Sequence, residues 1–178
     1  MSTRDELAKK LADCATIYGE FTLRSGATSK IYFDKYLFEA DPVMLKQITE
    51  HMCDLLPDDV DALAGLEMGG IPIATMLSQH TGIPALFVRK KAKEYGTCKL
   101  AEGGDIDGKR LVVIEDVVTS GGQILLSAKD LRDRGAEIVA VLCVIDREAG
   151  GPESLAKENL ELKSLFKRSD LEAVKSAS

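Results

Sequence analysis

The chain has 178 residues, a length that suits one domain with a substantial core. Its formal net charge of −6 argues against nucleic acid as the main partner, because binding to a phosphate backbone favours a basic surface. It contains no run of about 20 apolar residues that could cross a membrane, and its amino terminus lacks an apolar signal-peptide core. We therefore expect a cytoplasmic protein that binds neither nucleic acid nor membranes.

Cysteine and histidine usage excludes several kinds of site. The four cysteines lie about 40 residues apart and form no Cys-x-x-Cys pair, a pattern that suits neither a disulfide framework nor a zinc site. The two histidines, His51 and His80, are too few for a histidine-rich metal centre. Both lie in predicted helices, and a serine triad would need one of them as its base.

The amino-terminal third predicts a helix, a hairpin and a second helix. Residues 4–15 have the apolar spacing of an amphipathic helix. Residues 21–33 have β-rich ends around a Ser-Gly-Ala-Thr-Ser turn, which is typical of a hairpin. Asp41 followed by Pro42 favours a helix start, and we expect that helix to continue to about Leu56.

From residue 61 onward, short apolar runs alternate with helical patterns. Strands are predicted at 61–66, 85–89, 110–115 and 137–145, helices at about 71–81 and 122–134, and an edge strand at 162–166 before a last short helix. Strands that alternate with helices indicate βαβ units. We therefore expect an α/β fold with a central, mainly parallel sheet flanked by helices.

A long polar segment, residues 90–109, separates the second and third of these strands. A connection of this length is usually functional or disordered, and its glycines would allow it to move as a lid. Basic residues cluster at its start: Arg89, Lys90, Lys91 and Lys93. On charge alone, a solvated surface is the simpler interpretation of this cluster.

Residues 112–123, VVIEDVVTSGGQ, combine an apolar strand, two adjacent carboxylates and Thr-Ser-Gly-Gly before a helix. Amides and hydroxyls at a helix N-terminus converge where the helix dipole favours an anion, so the segment predicts a phosphate-binding loop. The glycine patterns of dinucleotide-binding folds and P-loops are absent. Glu115 and Asp116 would repel a phosphate, but ribose hydroxyls would suit them. An acidic helix N-terminus with a serine-glycine turn is an alternative that explains one carboxylate better than both.

This pattern resembles the signature of type I phosphoribosyltransferases, which use phosphoribosyl pyrophosphate (PRPP). The resemblance implies that residues 119–123 bind the 5-phosphate and that Glu115 and Asp116 contact the ribose. The residues of this segment that it assigns to PRPP are Glu115, Asp116, Val117, Val118, Thr119, Ser120, Gly121, Gly122 and Gln123. Mg²⁺ would arrive on the pyrophosphate of the substrate, so no protein metal site is expected.

Four further segments resemble those of orotate phosphoribosyltransferases. Residues 21–34 resemble the hood of that family, and residues 65–74 resemble its pyrophosphate loop. Residues 87–96 resemble its mobile catalytic loop, and IDRE (145–148) resembles the strand end that holds the base. The residues that this resemblance assigns to orotate are Thr119, Arg147, Tyr32 and Phe33. A planar guanidinium suits a carboxylate substrate. Without the resemblance, a surface ion pair with Asp146 or Glu148 would be the simpler role for Arg147.

The resemblance also gives the basic cluster a function. It assigns Arg89, Lys90 and Lys93 to PRPP and makes Lys93 and Asp116 the catalytic residues. A cation over the departing pyrophosphate would stabilise the transition state, and Lys93 is assigned that position. In the family this loop reaches into the neighbouring subunit, which implies a homodimer that shares residues 90–109 across its interface.

We therefore expect one phosphoribosyltransferase domain over residues 1–178, with a small hood mainly in 1–40, a core at about 41–168 and a mobile catalytic loop at about 90–109. The implied reaction is Mg²⁺-dependent transfer of ribose 5-phosphate from PRPP to orotate, in UMP biosynthesis, and no fused decarboxylase is expected at this length. A nucleotide sensor or regulator built on the same fold is one alternative, although it would not need Lys93. A purine phosphoribosyltransferase is another, disfavoured by the hood and IDRE.

Two positions depart from the family pattern. Met68-Gly69 stands where many bacterial members carry Tyr-Lys, so backbone amides from Glu67 to Gly70 would carry more of the pyrophosphate contact. Tyr95 stands where many members have a histidine two residues after the loop lysine.

Overall fold

The structure, a computed structural model, describes residues 3–22, 26, 28–92 and 99–176. Its amino-terminal part contains helix α1 (Arg4–Ala15), the antiparallel strands β1 (Thr16–Thr22) and β2 (Thr28–Phe33), and a short helix α2 (Tyr36–Ala40). The predicted helix and hairpin are confirmed, although β1 begins at Thr16 rather than at Phe21. Helix α2 was not predicted, because its five residues are too few to show a helical period.

Helix α3 (Pro42–Met52) begins where the sequence predicts. The carboxylate of Asp41 accepts hydrogen bonds from the backbone N–H groups of Val43 (2.8 Å) and Met44 (2.9 Å), which caps the helix. The helix ends at Met52 rather than near Leu56, because the chain tightens there into a 3₁₀ turn.

The rest of the described chain alternates between strands and helices. Its elements are β3 (Ala62–Leu66), α4 (Gly70–Thr81), β4 (Ala85–Val88), β5 (Ala101–Glu102), β6 (Arg110–Val118), α5 (Gly122–Arg132), β7 (Glu137–Asp146), α6 (Gly151–Ala156), β8 (Leu162–Lys167) and α7 (Arg168–Ser176). Strands β3 to β8 form one sheet in the order β5-β4-β3-β6-β7-β8. Its pairings are parallel except that of β4 with β5. The predicted α/β fold with a mainly parallel sheet is therefore confirmed.

Two details differ from the sequence prediction. The segment at 90–109 contains the short strand β5, so it is not wholly irregular. Strand β6 extends to Val118 rather than ending at Glu115, which places the acidic pair inside the strand. As predicted, β8 lies at the edge of the sheet.

Both faces of the sheet are buried, and β6 shows why its sequence is almost continuously apolar. Val112 and Ile114 pack with α1, α3 and α4 on one face, whereas Leu111 and Val113 pack with α5 on the other. Successive side chains of a strand point to opposite faces, so a strand covered on both sides needs apolar residues at every position.

The parallel strands bring three loops to one edge of the sheet. Strands β3, β6 and β7 end at Leu66, Val118 and Asp146, and the loops that follow them leave the sheet on the same side. In an open α/β sheet, ligands bind in the crevice beyond the carboxyl ends of the strands. The fold thus predicts where the site lies.

The cap of α3 gives a test of the fold. Asp41→Ala should lower the free energy of unfolding by about 1 kcal/mol, because two N-terminal amides of α3 lose their acceptor. Asp41→Asn keeps an acceptor oxygen, so its free energy of unfolding should be close to that of the wild type. Urea unfolding followed by circular dichroism measures both values. Equal losses in the two variants would contradict the capping role.

Candidate active site

The loop after β6 encloses a cavity of about 240 Å³. Its lining residues are Glu115, Val117, Val118, Thr119, Ser120, Gly121, Gly122, Gln123 and Ile124. Thr119 and Ser120 are exposed, and no side chain caps the N-terminus of α5. Unpaired amides at a helix N-terminus together with free hydroxyls suit a phosphate. The structure therefore brings together in one cavity every residue that the sequence assigned to this loop except Asp116.

The two adjacent carboxyl groups of β6 have different surroundings. Glu115 faces the cavity and is partly buried, whereas the side chain of Asp116 has no exposed surface. The backbone N–H of Asp116 donates to Oε1 of Glu115 at 3.0 Å, and the N–H of Val117 donates to Oδ1 of Asp116. Burial, reinforced by the charge of Asp116, raises the pKa of Glu115 to about 8. Glu115 therefore holds a proton at neutral pH.

Asp116 remains the ionised member of the pair because it lies beside Lys35, a residue to which no sequence motif gave a role. Burial acts to raise the pKa of Asp116, but the polar contacts with Glu115 and Lys35 and the charge of Lys35 lower it overall. Nζ of Lys35 lies 2.5 Å from Oδ2 of Asp116. The Lys35 side chain is 33% exposed, so it lies at the boundary between the buried carboxylate and the open site.

A third carboxyl group, that of Glu39, also contacts Asp116. Glu39 lies on α2, four residues after Lys35, and its side chain is buried. Burial, with a further contribution from Asp116, raises the pKa of Glu39 to about 9. The spacing of Lys35 and Glu39 is a signal that could have indicated a shared helical face, but only if α2 had been recognised.

The loop after β3 packs directly against these carboxyl groups. A Cβ atom on Gly69 would overlap Oδ2 of Asp116 and lie 2.8 Å from Oε1 of Glu39. No side chain fits at this position while the carboxyl groups of Asp116 and Glu39 keep their arrangement. The glycine of the Met68-Gly69 departure therefore has a structural reason, because it leaves room for the carboxyl groups of Asp116 and Glu39.

Two of the residues assigned to orotate line a second cavity, of about 360 Å³. Phe33 and Arg147 contribute to it together with Ala12, Thr16, Ile145, Arg168, Leu171, Glu172 and Lys175. Thr119 lies in the phosphate-loop cavity instead, and Tyr32 is half-exposed with its ring centroid 5.3 Å from that of Phe21. The backbone N–H of Arg147 donates to the carbonyl of Val118 at 2.9 Å, so the ends of β6 and β7 are joined.

The carboxylates beside Arg147 have other partners. Glu148 accepts hydrogen bonds from the backbone N–H and the hydroxyl of Ser169, and Asp146 accepts one from the N–H of Glu148. Neither forms an ion pair with Arg147 within the described residues. The surface ion pair considered from the sequence is therefore absent from this part of the chain.

The basic segment after β4 is described only in part. Arg89 lies 3.5 Å (Nε to Oε1) from Glu102 of β5, and both line a cavity of about 390 Å³ with Glu67. The backbone N–H of Lys90 donates to Oε1 of Glu67 at 2.5 Å, which ties this segment to the loop after β3. Lys93 and Tyr95 lie outside the described residues, so their predicted roles have no structural counterpart here.

Together, these groups suit a phosphorylated sugar. An anion-binding loop, a carboxyl group that can exchange hydrogen bonds with hydroxyls, and a nearby guanidinium lie around the ends of β6 and β7. Glu67 and Arg89 extend the same edge toward β4. This arrangement can hold a phosphate, a ribose and a planar anion side by side.

Comparisons with known proteins identify the family. The model of the phosphoribosyl transferase domain matches residues 40–169. An orotate phosphoribosyltransferase from Nocardioides sp. is 52% identical over 96% of this chain and 96% of that protein. One from Halobacterium salinarum is 43% identical over 96% of this chain and 98% of its own.

A solved structure agrees with this assignment. The Mycobacterium tuberculosis H37Rv orotate phosphoribosyltransferase in complex with 5-phospho-α-D-ribosyl 1-diphosphate superposes with a TM-score of 0.82 at 31% identity, covering 95% of this chain and 98% of that one. The type I phosphoribosyltransferase fold expected from the signature is confirmed. The chain belongs to the phosphoribosyl transferase domain family and, within it, to the orotate phosphoribosyltransferases.

Proposed function

We propose that this protein transfers ribose 5-phosphate from PRPP to orotate and releases orotidine 5′-monophosphate and pyrophosphate, a step of UMP biosynthesis. The observation that carries the proposal is the cavity after β6, where eight of the nine PRPP residues expected in this segment line one space with Glu115 at its end. Family membership supports the reaction, since the curated relatives are orotate phosphoribosyltransferases.

We propose that PRPP binds with its 5-phosphate on the amides and hydroxyls of residues 119–123. The dipole of α5 favours an anion there. Protonated Glu115 faces the same cavity and can donate to, as well as accept from, the ribose hydroxyls. Asp116 is fully buried beside Lys35, so its proposed part in binding the ribose stays a prediction.

Mg²⁺ would enter as part of the substrate, bound to the diphosphate of PRPP, whose hard oxygens suit it. The nearby carboxyl groups are already engaged, since Asp116 pairs with Lys35 while Glu39 and Glu115 hold protons. Diphosphate oxygens and water would therefore supply its ligands. When bound, Mg²⁺ would offset negative charge on the leaving diphosphate.

Orotate would bind between the hood and the end of β7. Arg147 and Phe33 line one cavity, where a guanidinium fork can meet the orotate carboxylate and an aromatic ring can cover the base. Attack of the orotate ring nitrogen on the anomeric carbon would form the new C–N bond as the bond to pyrophosphate breaks, and the proton of that nitrogen would be released to water. Roles for Thr119 and Tyr32 in this step stay predictions.

The basic segment would act on the leaving group. Arg89 and Lys90 lie beside Glu67, close to the loop after β3 that is similar to the pyrophosphate loop of the family. Lys93 would stabilise the charge that grows on pyrophosphate, and a homodimer would share residues 90–109 across its interface.

The division into a hood at 1–40 and a core at 41–168 also stays a prediction, as does the cytoplasmic location. Among the described residues, no helix has the length and apolar character to cross a membrane.

The reaction itself is directly testable. Purified protein with Mg²⁺ and PRPP should consume orotate, because the site offers Arg147 to its carboxylate and the 119–123 loop to the donor phosphate. Loss of the ultraviolet absorbance of orotate measures the rate.

Parallel assays with adenine, guanine and hypoxanthine serve as controls. Turnover of a purine without turnover of orotate would make the protein a purine phosphoribosyltransferase. PRPP binding without turnover of any base would instead support the alternative function, a nucleotide sensor or regulator built on the same fold.

The shared loop can be tested by subunit complementation. Lys93→Ala should lower kcat by about 10²-fold if the lysine acts mainly in the transition state, and Arg147→Ala should abolish orotate use. A heterodimer of the two variants, purified through two different tags, should recover about half of the wild-type activity. It contains one site whose core and incoming loop are both unaltered.

Two controls accompany this experiment. Lys109→Ala removes an exposed cation at the end of the same segment and should keep wild-type activity. In the second control, a subunit that carries both Lys93→Ala and Arg147→Ala is paired with an Arg147→Ala subunit. This heterodimer contains no intact site, whichever subunit supplies the loop. A heterodimer as inactive as its parents would place the loop in its own subunit, and a monomer in analytical ultracentrifugation would refute the dimer.

A further inference from the structure

Two buried carboxyl oxygens at the acidic end of the site lack a hydrogen-bond donor within the described residues: Oε1 of Glu39 and Oδ2 of Asp116. Nζ of Lys35 lies 2.5 Å from Oδ2 of Asp116 and forms an ion pair with it, which leaves this oxygen able to accept a further proton donor. Buried acceptors without donors are costly, and native structures rarely contain them. These two oxygens therefore need an explanation.

One proton between Glu39 and Asp116 satisfies both oxygens. Both lie beside the same point, the position that a Cβ on Gly69 would occupy, so they are close to each other. Two ionised carboxylates here would suffer burial and mutual repulsion, and for these reasons the pKa of Glu39 is raised to about 9. At neutral pH a protonated Glu39 donates to an ionised Asp116.

We propose that Lys35 and Glu39 are positioning residues for PRPP: they hold Asp116 as a fixed carboxylate whose charge is balanced, so that the acidic end of the cavity carries no net negative charge. The proposal rests on the proposed function, since it concerns the binding of PRPP. It answers the difficulty that two adjacent carboxylates would repel the phosphates of this substrate.

The charge balance follows from all the groups around Asp116. Among the described residues they are Lys35, which directly precedes α2, Glu39 of α2, Glu115 of β6 and Cys143 of β7, with Nζ of Lys35 lying 5.3 Å from the ring centroid of Tyr36. Burial raises the pKa of the Cys143 thiol well above its usual value, so the thiol is neutral. Glu39 and Glu115 hold protons at pH 7, and the charges of Lys35 and Asp116 cancel.

Removal of the cation tests the proposal. Lys35→Met keeps most of the side-chain length but leaves Asp116 unbalanced, so KM for PRPP should rise by about 10-fold at pH 7.5 with a smaller change in kcat, because the repulsion acts on binding. Lys35→Arg restores a cation and should recover most of this loss. Initial rates at varied PRPP and saturating orotate measure both constants.

Lys129 provides a matched control. Its Nζ also lies 2.5 Å from a carboxylate oxygen, Oδ2 of Asp133, but this pair is on the exposed surface of α5. Lys129→Met should keep the wild-type KM. If Lys35→Met and Lys129→Met give the same KM as the wild type, or if Lys35→Met lowers it, the charge-balancing role is wrong. Lack of orotate turnover in the wild type would instead refute the proposed function.

The proton on Glu39 has its own test. KM of the wild type should rise between pH 8 and pH 10, as Glu115 and Glu39 lose their protons and the acidic end becomes negative. Glu39→Gln carries an amide that cannot ionise, so its KM should rise less over the same range. An equal rise in both proteins would contradict a proton on Glu39.

Stability gives a readout that is independent of catalysis. Glu39 has an ordinary pKa of 4.5 and a folded-state pKa of about 9, so the folded state keeps a proton that the unfolded state releases. Its contribution to stability is therefore complete below about pH 4.5 and declines as the pH rises toward 9. In urea unfolding, the free energy of unfolding of Glu39→Gln should rise relative to that of the wild type between pH 5 and pH 8.5. A constant difference would mean that Glu39 is ionised in the fold.

Discussion

Burial of adjacent carboxyl groups at the end of β6 is the constraint on which the rest of the site depends. Glu115 and Asp116 lie on consecutive positions of a strand that is covered on both faces, so water cannot solvate both. The molecule keeps Glu115 protonated and pairs Asp116 with Lys35. This solution requires α2 on one side and a residue without a side chain, Gly69, on the other. The local geometry of three segments thus follows from one electrostatic problem.

The parallel sheet determines which loops share the site. Strands β3, β6 and β7 end at one edge, so the loop at Gly69, the phosphate loop at 119–123 and Arg147 become neighbours although they are distant in the sequence. The hydrogen bond from Arg147 N to the carbonyl of Val118 joins two of these ends. Donor and acceptor substrates would meet where the chain crosses between adjacent strands, as expected for ligands of open α/β sheets.

The sequence predicted most of the fold, because apolar runs and helical periods are local signals. It placed β3, β4, β7 and β8 to within a few residues, and the Asp41 cap located α3. The phosphate loop was also predictable, since Thr-Ser-Gly-Gly after an acidic pair is a local pattern. Two catalytic predictions remain open: Lys93 lies outside the described residues, and Asp116 is more deeply buried than a substrate contact suggests. The roles of Lys35 and Glu39 were not predictable, because they depend on packing against a strand far along the chain and on a helix of five residues.

The proposed reaction depends most on the binding of the 5-phosphate of PRPP to the loop after β6. A crystal structure of the protein with Mg²⁺ and PRPP tests it most directly. We expect the 5-phosphate on the amides of residues 119–123, the ribose beside Glu115, and the diphosphate toward the loop at 67–70. A 5-phosphate bound in the cavity of Phe33 and Arg147, with the 119–123 loop empty, would contradict the account.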